Sequence, residues 1–223
     1  MSINKLNISE LLETVNLFVF DFDGVIADSV HVKTQAFHEI YKKFGKDIAQ
    51  KVVHHHLSNG GMSRFEKFTL YHHKFLNIQL QEKDLDILCT NFADLVVRKV
   101  IDSDEIKGVG AFLDYLLLSR KKSVVNSATP EKELLEIIST RGLSKYFVDI
   151  YGSPTSKTEN LKLAMKKYNV SNKETLFLGD ATADLEAADN LNVKFLGIGK
   201  EIYEILLNSK NEYFYLEDFR NII

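Results

Sequence analysis

The chain has 223 residues, of which 45% are hydrophobic and 26% are charged, and its formal net charge is −3. This ordinary globular composition argues against intrinsic disorder and fibrous folds, and the lack of a basic excess argues against a nucleic-acid partner. Cys89 is the only cysteine, so the chain can form neither an intramolecular disulfide nor a cysteine-based zinc site.

Strands and amphipathic helices alternate over most of the chain. Residues 17–20 form an apolar run that ends at Asp21, which is typical of a strand buried on both faces. Such alternation predicts an α/β fold with a mainly parallel sheet that is covered by helices on both sides. Further strands are predicted at 123–125, 147–151, 175–178 and 193–198, and a further helix at about 183–191.

Two helices in the second half of the chain have clear start signals. Thr129 is expected to be the N-cap of one helix, with Pro130 as its first residue. Ser156 forms a predicted capping box with Glu159 at the start of the other helix. Leu134, Leu135 and Ile138 are expected to share one face of the first of these helices.

Residues 32–99 differ from the rest of the chain because they contain apolar stripes at helical spacing and no strand signal. We therefore expect this segment to be a small all-helical insert, placed after the first strand; by the family resemblance described below it would be the cap domain. Residues 1–31 and 100–223 would then form the core domain. The stripes are Ala36, Phe37, Ile40, Tyr41 and Phe44, and then Leu85, Leu88, Phe92, Leu95 and Val96.

Groups of polar residues lie where the predicted strands end, which is where open α/β sheets build their sites. Asp21 and Asp23 follow the first strand, and Gly24 gives the backbone the freedom to turn there. The other groups are Ser127, Lys157, and Asp180 with Asp184.

Each group alone has an ordinary structural explanation. The two acids of Asp21-Phe22-Asp23 can serve as a helix cap and a turn residue, Ser127 as another cap and Lys157 as a surface lysine. Taken together, however, the groups would bury several charges at one edge of a sheet, and desolvating unpaired carboxylates is costly. A divalent cation and an anionic substrate would offset that cost.

The order and the residues of these motifs resemble those of the haloacid dehalogenase-like superfamily, in its branch of beta-phosphoglucomutases and phosphatases with a C1 helical cap. Residues 20–25 match the first motif of that family, 178–180 with Asp184 match the last, and Ser127 and Lys157 match the two middle motifs. The resemblance implies a Rossmann-like three-layer core, Mg²⁺ as the cofactor and phosphoryl transfer through an aspartyl-phosphate.

The resemblance also implies a role for each acid. Asp21 would be the nucleophile and a ligand of Mg²⁺, together with the backbone carbonyl of Asp23 and the carboxylate of Asp180. Asp184 would hold a metal-bound water or Lys157 rather than the metal itself. Asp23 would protonate the leaving alkoxide and later activate water, for which we expect its pKa to lie nearer neutrality than that of a free aspartate.

Further residues are expected to bind the substrate. Ser127 and Ala128, with the helix N-terminus behind them, would donate hydrogen bonds to the phosphoryl group, and Lys157 would neutralise charge there. Arg64 lies in a Gly60–Arg64 stretch that resembles the substrate loop of C1-capped enzymes, and the alternative is a solvated loop arginine. Lys33, near the predicted hinge, is a second candidate for substrate binding.

The predicted function is a Mg²⁺-dependent phosphatase of a small phosphorylated metabolite, with sugar phosphates as the leading class. Asp23 argues against a dehalogenase, because a halide leaving group needs no proton. The alternatives are phosphoglucomutase-type transfer and a non-catalytic regulatory protein. Lys33 replaces a histidine of the mutase and Gly179 an acidic metal ligand, so both departures favour hydrolysis.

Two expectations concern the surroundings of the protein and its histidines. No apolar run approaches the roughly 18–20 residues of a membrane span, and the first twenty residues contain Glu10 and Glu13 instead of a basic start. We therefore expect a cytoplasmic protein with no membrane partner, as a monomer or weak dimer. Residues 54–56 and 72–73 are histidines and are expected on a polar cap surface, with one of them facing the substrate.

Overall fold

The computed structural model describes residues 8–209, 211 and 213–223. Within the described part of the chain, no helix combines the length and the apolar character that crossing a membrane requires. In chain order the elements are α1 (Ile8–Thr14), β1 (Leu17–Phe20), α2 (Val30–Tyr41), α3 (Lys46–Ser58), α4 (Arg64–Leu76), α5 (Glu82–Ile101), α6 (Val109–Leu118), β2 (Lys122–Pro130), α7 (Glu131–Thr140), β3 (Asp149–Ser153), α8 (Lys157–Tyr168), β4 (Thr175–Gly179), α9 (Thr182–Asn190), β5 (Lys194–Ile198), α10 (Lys200–Leu207) and β6 (Phe214–Leu216). Single 3-10 turns cover Lys42–Phe44, Ser144–Tyr146, Asn172–Glu174 and Phe219–Asn221.

The strands form a parallel sheet in the order β3-β2-β1-β4-β5-β6, which confirms the predicted α/β fold. Phe20 at the end of β1 is paired with Val125 of β2 on one side and with Leu178 of β4 on the other. The segments that leave β1, β2 and β4 therefore emerge side by side at the same edge of the sheet. This edge is the place where such sheets hold their ligands.

Helices cover both faces of the sheet and bury β1 completely, as its apolar run predicts. Leu17 and Val19 point to one face, where they belong to an apolar cluster with residues of α8, α9 and α10. Phe18 and Phe20 point to the other face and belong to a cluster with residues of α1, α6 and α7. The result is three layers, helix on sheet on helix.

The junction of β2 and α7 differs from the predicted one. β2 continues to Pro130, which makes Pro130 the N-cap residue of α7 instead of its first helical residue. Strand pairing with β3 extends to Pro130 and holds this segment extended, while the Thr129 hydroxyl donates to Asp23 instead of capping the helix. On α7 itself, Leu134, Ile137 and Ile138 are buried, whereas Leu135, which was predicted on the same face as Leu134 and Ile138, is 47% exposed.

The helices α2 to α5 lie between β1 and β2 in the chain and have an aromatic core of their own. Phe37 and Tyr41, both on a predicted stripe, are buried there. The ring of Phe37 lies 4.5 Å from that of Phe92 and 5.4 Å from that of Phe68. Of the second predicted stripe, Phe92 and Val96 are buried, whereas Leu95 is 37% exposed.

Two of the histidines of this helical segment are buried, which corrects the expectation of a polar surface for them. His72 is 5% exposed, and its Nδ1 atom lies 2.8 Å from the Tyr41 hydroxyl and 3.1 Å from the Phe68 carbonyl. His56 is 6% exposed and packs its ring 4.8 Å from the ring of Phe37. Both residues lie on the inner faces of their helices. A run of consecutive histidines does not show from the sequence which of them faces inward.

Candidate active site

Asp21 is the first residue after β1, and its surroundings orient its carboxylate. The residue is 4% exposed, and its backbone N–H donates to the Leu178 carbonyl of β4 at 2.9 Å. The backbone N–H of Phe22 donates to Asp21 Oδ1 at 2.6 Å, and Lys157 Nζ donates to Oδ2 at 2.7 Å. A buried carboxylate that is held at the sheet edge in this way has the position that a nucleophile requires.

Lys157 begins α8, where the predicted capping box of Ser156 is confirmed. Besides Asp21, its ammonium donates to Asp184 Oδ1 at 2.5 Å. Burial alone would lower the pKa of Lys157, but Asp184 and Asp21 outweigh it and raise the pKa, so that the group stays charged. The amide of Asn126, which the sequence analysis did not single out, donates to the Lys157 carbonyl at 2.9 Å and fastens this loop to β2.

Two glycines allow the acids of the loop after β4 to approach. A Cβ atom on Gly24, whose φ is +80°, would lie 2.0 Å from Asp180 Oδ2. A Cβ atom on Gly179 would lie 2.3 Å from the Cβ atom of Asp184. Since real Cβ atoms do not tolerate such distances, larger residues at either position would displace these carboxylates. Because Gly179 has no side chain, Asp184 can lie close to the backbone there and form its ion pair with Lys157.

The carboxylates of Asp21, Asp180 and Asp184 form a cluster in which one oxygen of each lies within 4.8 Å of the others. Burial, together with the charges of Asp21 and Asp184, raises the pKa of Asp180 well above its ordinary value. Burial also raises the pKa of Asp184 to about 7, against the opposing effect of Lys157. One ammonium among three carboxylates leaves an excess of negative charge, and a divalent cation with oxygen ligands fits this donor set.

Asp23 is held by three donors. Ser29 Oγ donates to Oδ1 at 2.6 Å, Thr129 Oγ1 donates to Oδ2 at 3.1 Å, and the ammonium of Lys33 also pairs with Oδ2. Burial by itself would raise the pKa of Asp23, but Lys33 and the two hydroxyls outweigh burial and lower the pKa. The expectation of a pKa nearer neutrality is therefore wrong for this arrangement, because the sequence analysis placed no cation beside Asp23.

A cavity of about 500 Å³ lies between the helical segment and the sheet edge. On the core side, Ser127 and Ala128 line it beside the acids, and Ser127 Oγ accepts a hydrogen bond from the Thr129 N–H at 3.2 Å. Lys33, whose Nζ also donates to Thr129 Oγ1 at 2.8 Å, lines it from α2. Most of the predicted core and hinge residues therefore line one cavity. Its lining residues include Asp21, Asp23, Lys33, His56, Arg64, Lys67, Ser127, Ala128 and Asp180.

Arg64 lines the same cavity but already has a protein partner, which departs from the expectation that it reaches the substrate. Its guanidinium binds the carboxylate of Glu133 on α7 through two hydrogen bonds of 3.0 and 2.6 Å. It also stacks 4.7 Å from the centre of the Phe92 ring and donates to the Cys89 carbonyl at 3.4 Å. Arg64 thus links α4 to α7 through a bidentate ion pair.

Lys67, which was not predicted as a site residue, lines the cavity from α4 and is 2% exposed. Its ammonium lies 2.9 Å from Nδ1 of His56 on α3. The only local signal is the position of Lys67 one helical turn after Arg64, which places both on one face of α4.

A family model described as haloacid dehalogenase-like hydrolase matches residues 18–198. Among curated proteins, the chain is 24% identical to a phosphorylated carbohydrates phosphatase of Thermotoga maritima, over 79% of this chain and 81% of the relative. It is also 24% identical to a phosphoglycolate phosphatase of Vibrio parahaemolyticus, over 83% of this chain and 84% of the relative.

Solved structures with similar folds include a beta-phosphoglucomutase from Clostridium difficile, with a TM-score of 0.75, 23% identity and 92% of both chains covered. Another is a haloacid dehalogenase-like family hydrolase from Streptococcus pneumoniae, with a TM-score of 0.68, 17% identity and coverage of 91% of this chain and 94% of the other. At these identities the likeness shows the fold.

Proposed function

The chain belongs to the haloacid dehalogenase-like hydrolase family, and on that premise we propose that it is a Mg²⁺-dependent phosphatase of a small phosphorylated metabolite. The observation that carries the proposal is the pairing of buried Asp21 with Lys157 at the sheet edge, where Asp21 and Asp180 line the cavity. Similarity to phosphatases of phosphorylated carbohydrates and of phosphoglycolate supports a small phosphomonoester as the substrate, with sugar phosphates as the leading class.

Asp21 would act as the nucleophile towards phosphorus. Its Oδ1 atom is occupied by a backbone N–H and its Oδ2 atom by the ammonium of Lys157, so the carboxylate cannot rotate freely. The ammonium offsets the charge that would otherwise repel an incoming phosphate dianion. Transfer of the phosphoryl group to Asp21 and then to water divides a slow hydrolysis into two displacements.

The cluster of acids supplies the ligands for a cation. Asp21 and Asp180 would hold Mg²⁺ with their carboxylates, and the backbone carbonyl of Asp23 is the third ligand that the family resemblance implies. When bound, the ion offsets the excess of carboxylate charge and polarises a phosphoryl oxygen. Asp184 remains on Lys157, since its Oδ1 accepts from the ammonium and its Oδ2 accepts from the Ala181 N–H at 3.2 Å.

Asp23 would be the general acid and base. To protonate the leaving oxygen it must carry a proton, although Lys33 and two hydroxyls lower its pKa in the structure. A bound phosphate group works in the opposite direction, because a like charge nearby raises the pKa of a carboxylate and competes for the ammonium of Lys33. Substrate binding would therefore prepare Asp23 for the proton transfer.

The proposal is tested with a panel of metabolite phosphates, assayed for phosphate release with Mg²⁺ and then with EDTA. Asp21→Asn should remove turnover, whereas Asp28→Asn, a control at an exposed acid of the same loop region, should keep it. Residual turnover of Asp21→Asn above about one per cent would exclude Asp21 as the nucleophile, since loss of a covalent nucleophile costs several orders of magnitude in rate. Transfer of phosphate to a second sugar phosphate in place of water would favour the mutase alternative.

A further inference from the structure

Lys67 is a buried cation that lines the cavity from α4. Its side chain is nearly inaccessible to solvent, and its ammonium lies 2.9 Å from His56 Nδ1 and 5.7 Å from the centre of the Phe37 ring. Among the residues that the structure describes, no carboxylate forms an ion pair with it. Every other basic side chain at the site does have one: the pairs are Lys33–Asp23, Arg64–Glu133 and Lys157 with Asp21 and Asp184.

His56 adds a second unused donor. Burial, followed by the charges of Lys67 and Lys33, lowers the pKa of His56 to about 2, so its ring is neutral. Because an ammonium has only donors, Lys67 must donate to Nδ1, and the ring proton is then on Nε2. Within the described part of the chain, this buried Nε2 atom has no hydrogen-bond partner. Lys67 and His56 therefore form a pair that offers donors and contains no acceptor for them.

The position of this pair within the cavity indicates what it faces. Lys67 and His56 line the cavity from α4 and α3, while Asp21 and Ser127 line it from the core. Burial, followed by the charges of Lys33 and Lys157, lowers the pKa of Lys67 to about 7. An unpaired buried cation of this kind is costly unless an anion completes it.

We propose that Lys67 and His56 bind a second anionic group of the substrate, a carboxylate or a second phosphate, while the transferred phosphoryl group lies beside Asp21. The substrate would then be a phosphomonoester with two anionic ends. This inference rests on the proposed phosphatase function, and it assigns a specificity role to the helical side of the cavity. Oxygen acceptors of either anion satisfy the donors of both side chains.

The test compares matched esters that differ only at the far end. The probes are ω-carboxyalkyl phosphates with one to five methylene groups, their ω-hydroxyalkyl twins and the corresponding alkyl bisphosphates. At one chain length the wild-type kcat/KM should favour an anionic ester over its hydroxyl twin by about 10- to 100-fold, which is the strength of hydrogen bonds to charged groups. The carboxylate and bisphosphate arms identify which anion is preferred. If wild-type enzyme shows less than a twofold preference at every length, the inference is overturned.

Variants locate the preference. Lys67→Met should bring the ratio of anionic to hydroxyl ester close to one, Lys67→Arg should keep most of it, and His56→Gln should reduce it. Lys74→Met, a control at an exposed lysine of the same helix, should leave the ratio unchanged. A wild-type preference that survives in folded Lys67→Met would assign the second anion to another group and overturn the inference.

A binding measurement separates this inference from the proposed function. Isothermal titration of Asp21→Asn with the same esters reports the preference of the cavity without turnover. Tighter binding of the anionic ester that disappears in the Asp21→Asn, Lys67→Met double variant supports the second anion site even if wild-type enzyme hydrolyses neither ester. Equal binding of both twins at every length contradicts it even if both are hydrolysed.

Discussion

Replacing Lys67 by Met should make the protein more stable. It should also remove the preference for phosphate esters that carry a second anionic group. Burial and two neighbouring lysines lower the pKa of Lys67 from 10.5 to about 7. At about 1.4 kcal/mol for each pH unit, that difference corresponds to about 4–5 kcal/mol of folding free energy that the charged group costs. Methionine keeps most of the apolar stem of the side chain but leaves His56 Nδ1 without a donor, which costs about 1–3 kcal/mol. The net gain at pH 7 should be about 1–4 kcal/mol.

The gain should depend on pH with a defined sign. The folded-state pKa of Lys67 lies below its unfolded-state value, so between about pH 7 and 10.5 the unfolded chain binds a proton that the folded protein does not. The contribution of Lys67 to wild-type stability therefore rises with pH across this window. The advantage of Lys67→Met should be largest at pH 7 and below, and it should shrink by about 2 kcal/mol between pH 7 and 9.

Urea unfolding followed by far-UV circular dichroism at pH 6, 7, 8 and 9 measures this effect, with Lys74→Met as the exposed control. The denaturant slope should be the same for wild type and variant, so that a shift in midpoint reports stability alone. Lower stability of Lys67→Met than of wild type at pH 7, or a difference that does not change with pH, would refute the description of Lys67 as an uncompensated buried cation.

Three other perturbations test separate parts of the site. Glu133→Ala leaves the guanidinium of Arg64 buried without its carboxylate and should lower the free energy of unfolding by about 2–4 kcal/mol in urea titrations; a loss no larger than that of the exposed control Glu136→Ala would mean that the ion pair contributes little. Asp23→Asn should slow hydrolysis of alkyl phosphates more than that of p-nitrophenyl phosphate, whose leaving group needs no proton, and equal slowing would count against the acid role. Mg²⁺ added after EDTA should restore turnover and also raise the melting temperature, because it relieves repulsion within the acid cluster; an unchanged melting temperature would argue against a resident cation.

The reacting centre was predictable from the sequence because its residues follow buried strands. Asp21 follows β1, Asp180 follows β4, and parallel pairing of these strands places both at one edge. The position of the acids follows from local patterns and from the rule that parallel strands end together. Lys157, which alone has the features of a surface lysine, was assigned through its match to a family motif, and the structure brings its ammonium to Asp21.

Contacts between distant parts of the chain were not predictable in this way. Arg64 lies in a loop motif that is typical of substrate contact, yet its partner Glu133 is 69 positions away and no local pattern announces the pair. The pKa of Asp23 was misjudged for a related reason: Lys33 is only ten positions away, but no local pattern shows that its ammonium turns back to this carboxylate. The sequence shows which side chains are ionisable. Whether such a side chain forms an ion pair with another residue depends on tertiary packing.

This difference explains why the reaction is easier to infer than the substrate. The acids and Lys157 follow strand ends, and in the proposed mechanism they would serve phosphoryl transfer whatever the rest of the substrate is. The far side of the cavity is built from α3 and α4, where Lys67 and His56 meet across two helices that only tertiary packing brings together. A buried donor pair of this kind costs stability in the free protein, and a ligand that supplies the missing acceptor would offset that cost. Discrimination between phosphate esters is therefore expected to depend on Lys67 and His56, whose donors have no carboxylate partner among the described residues.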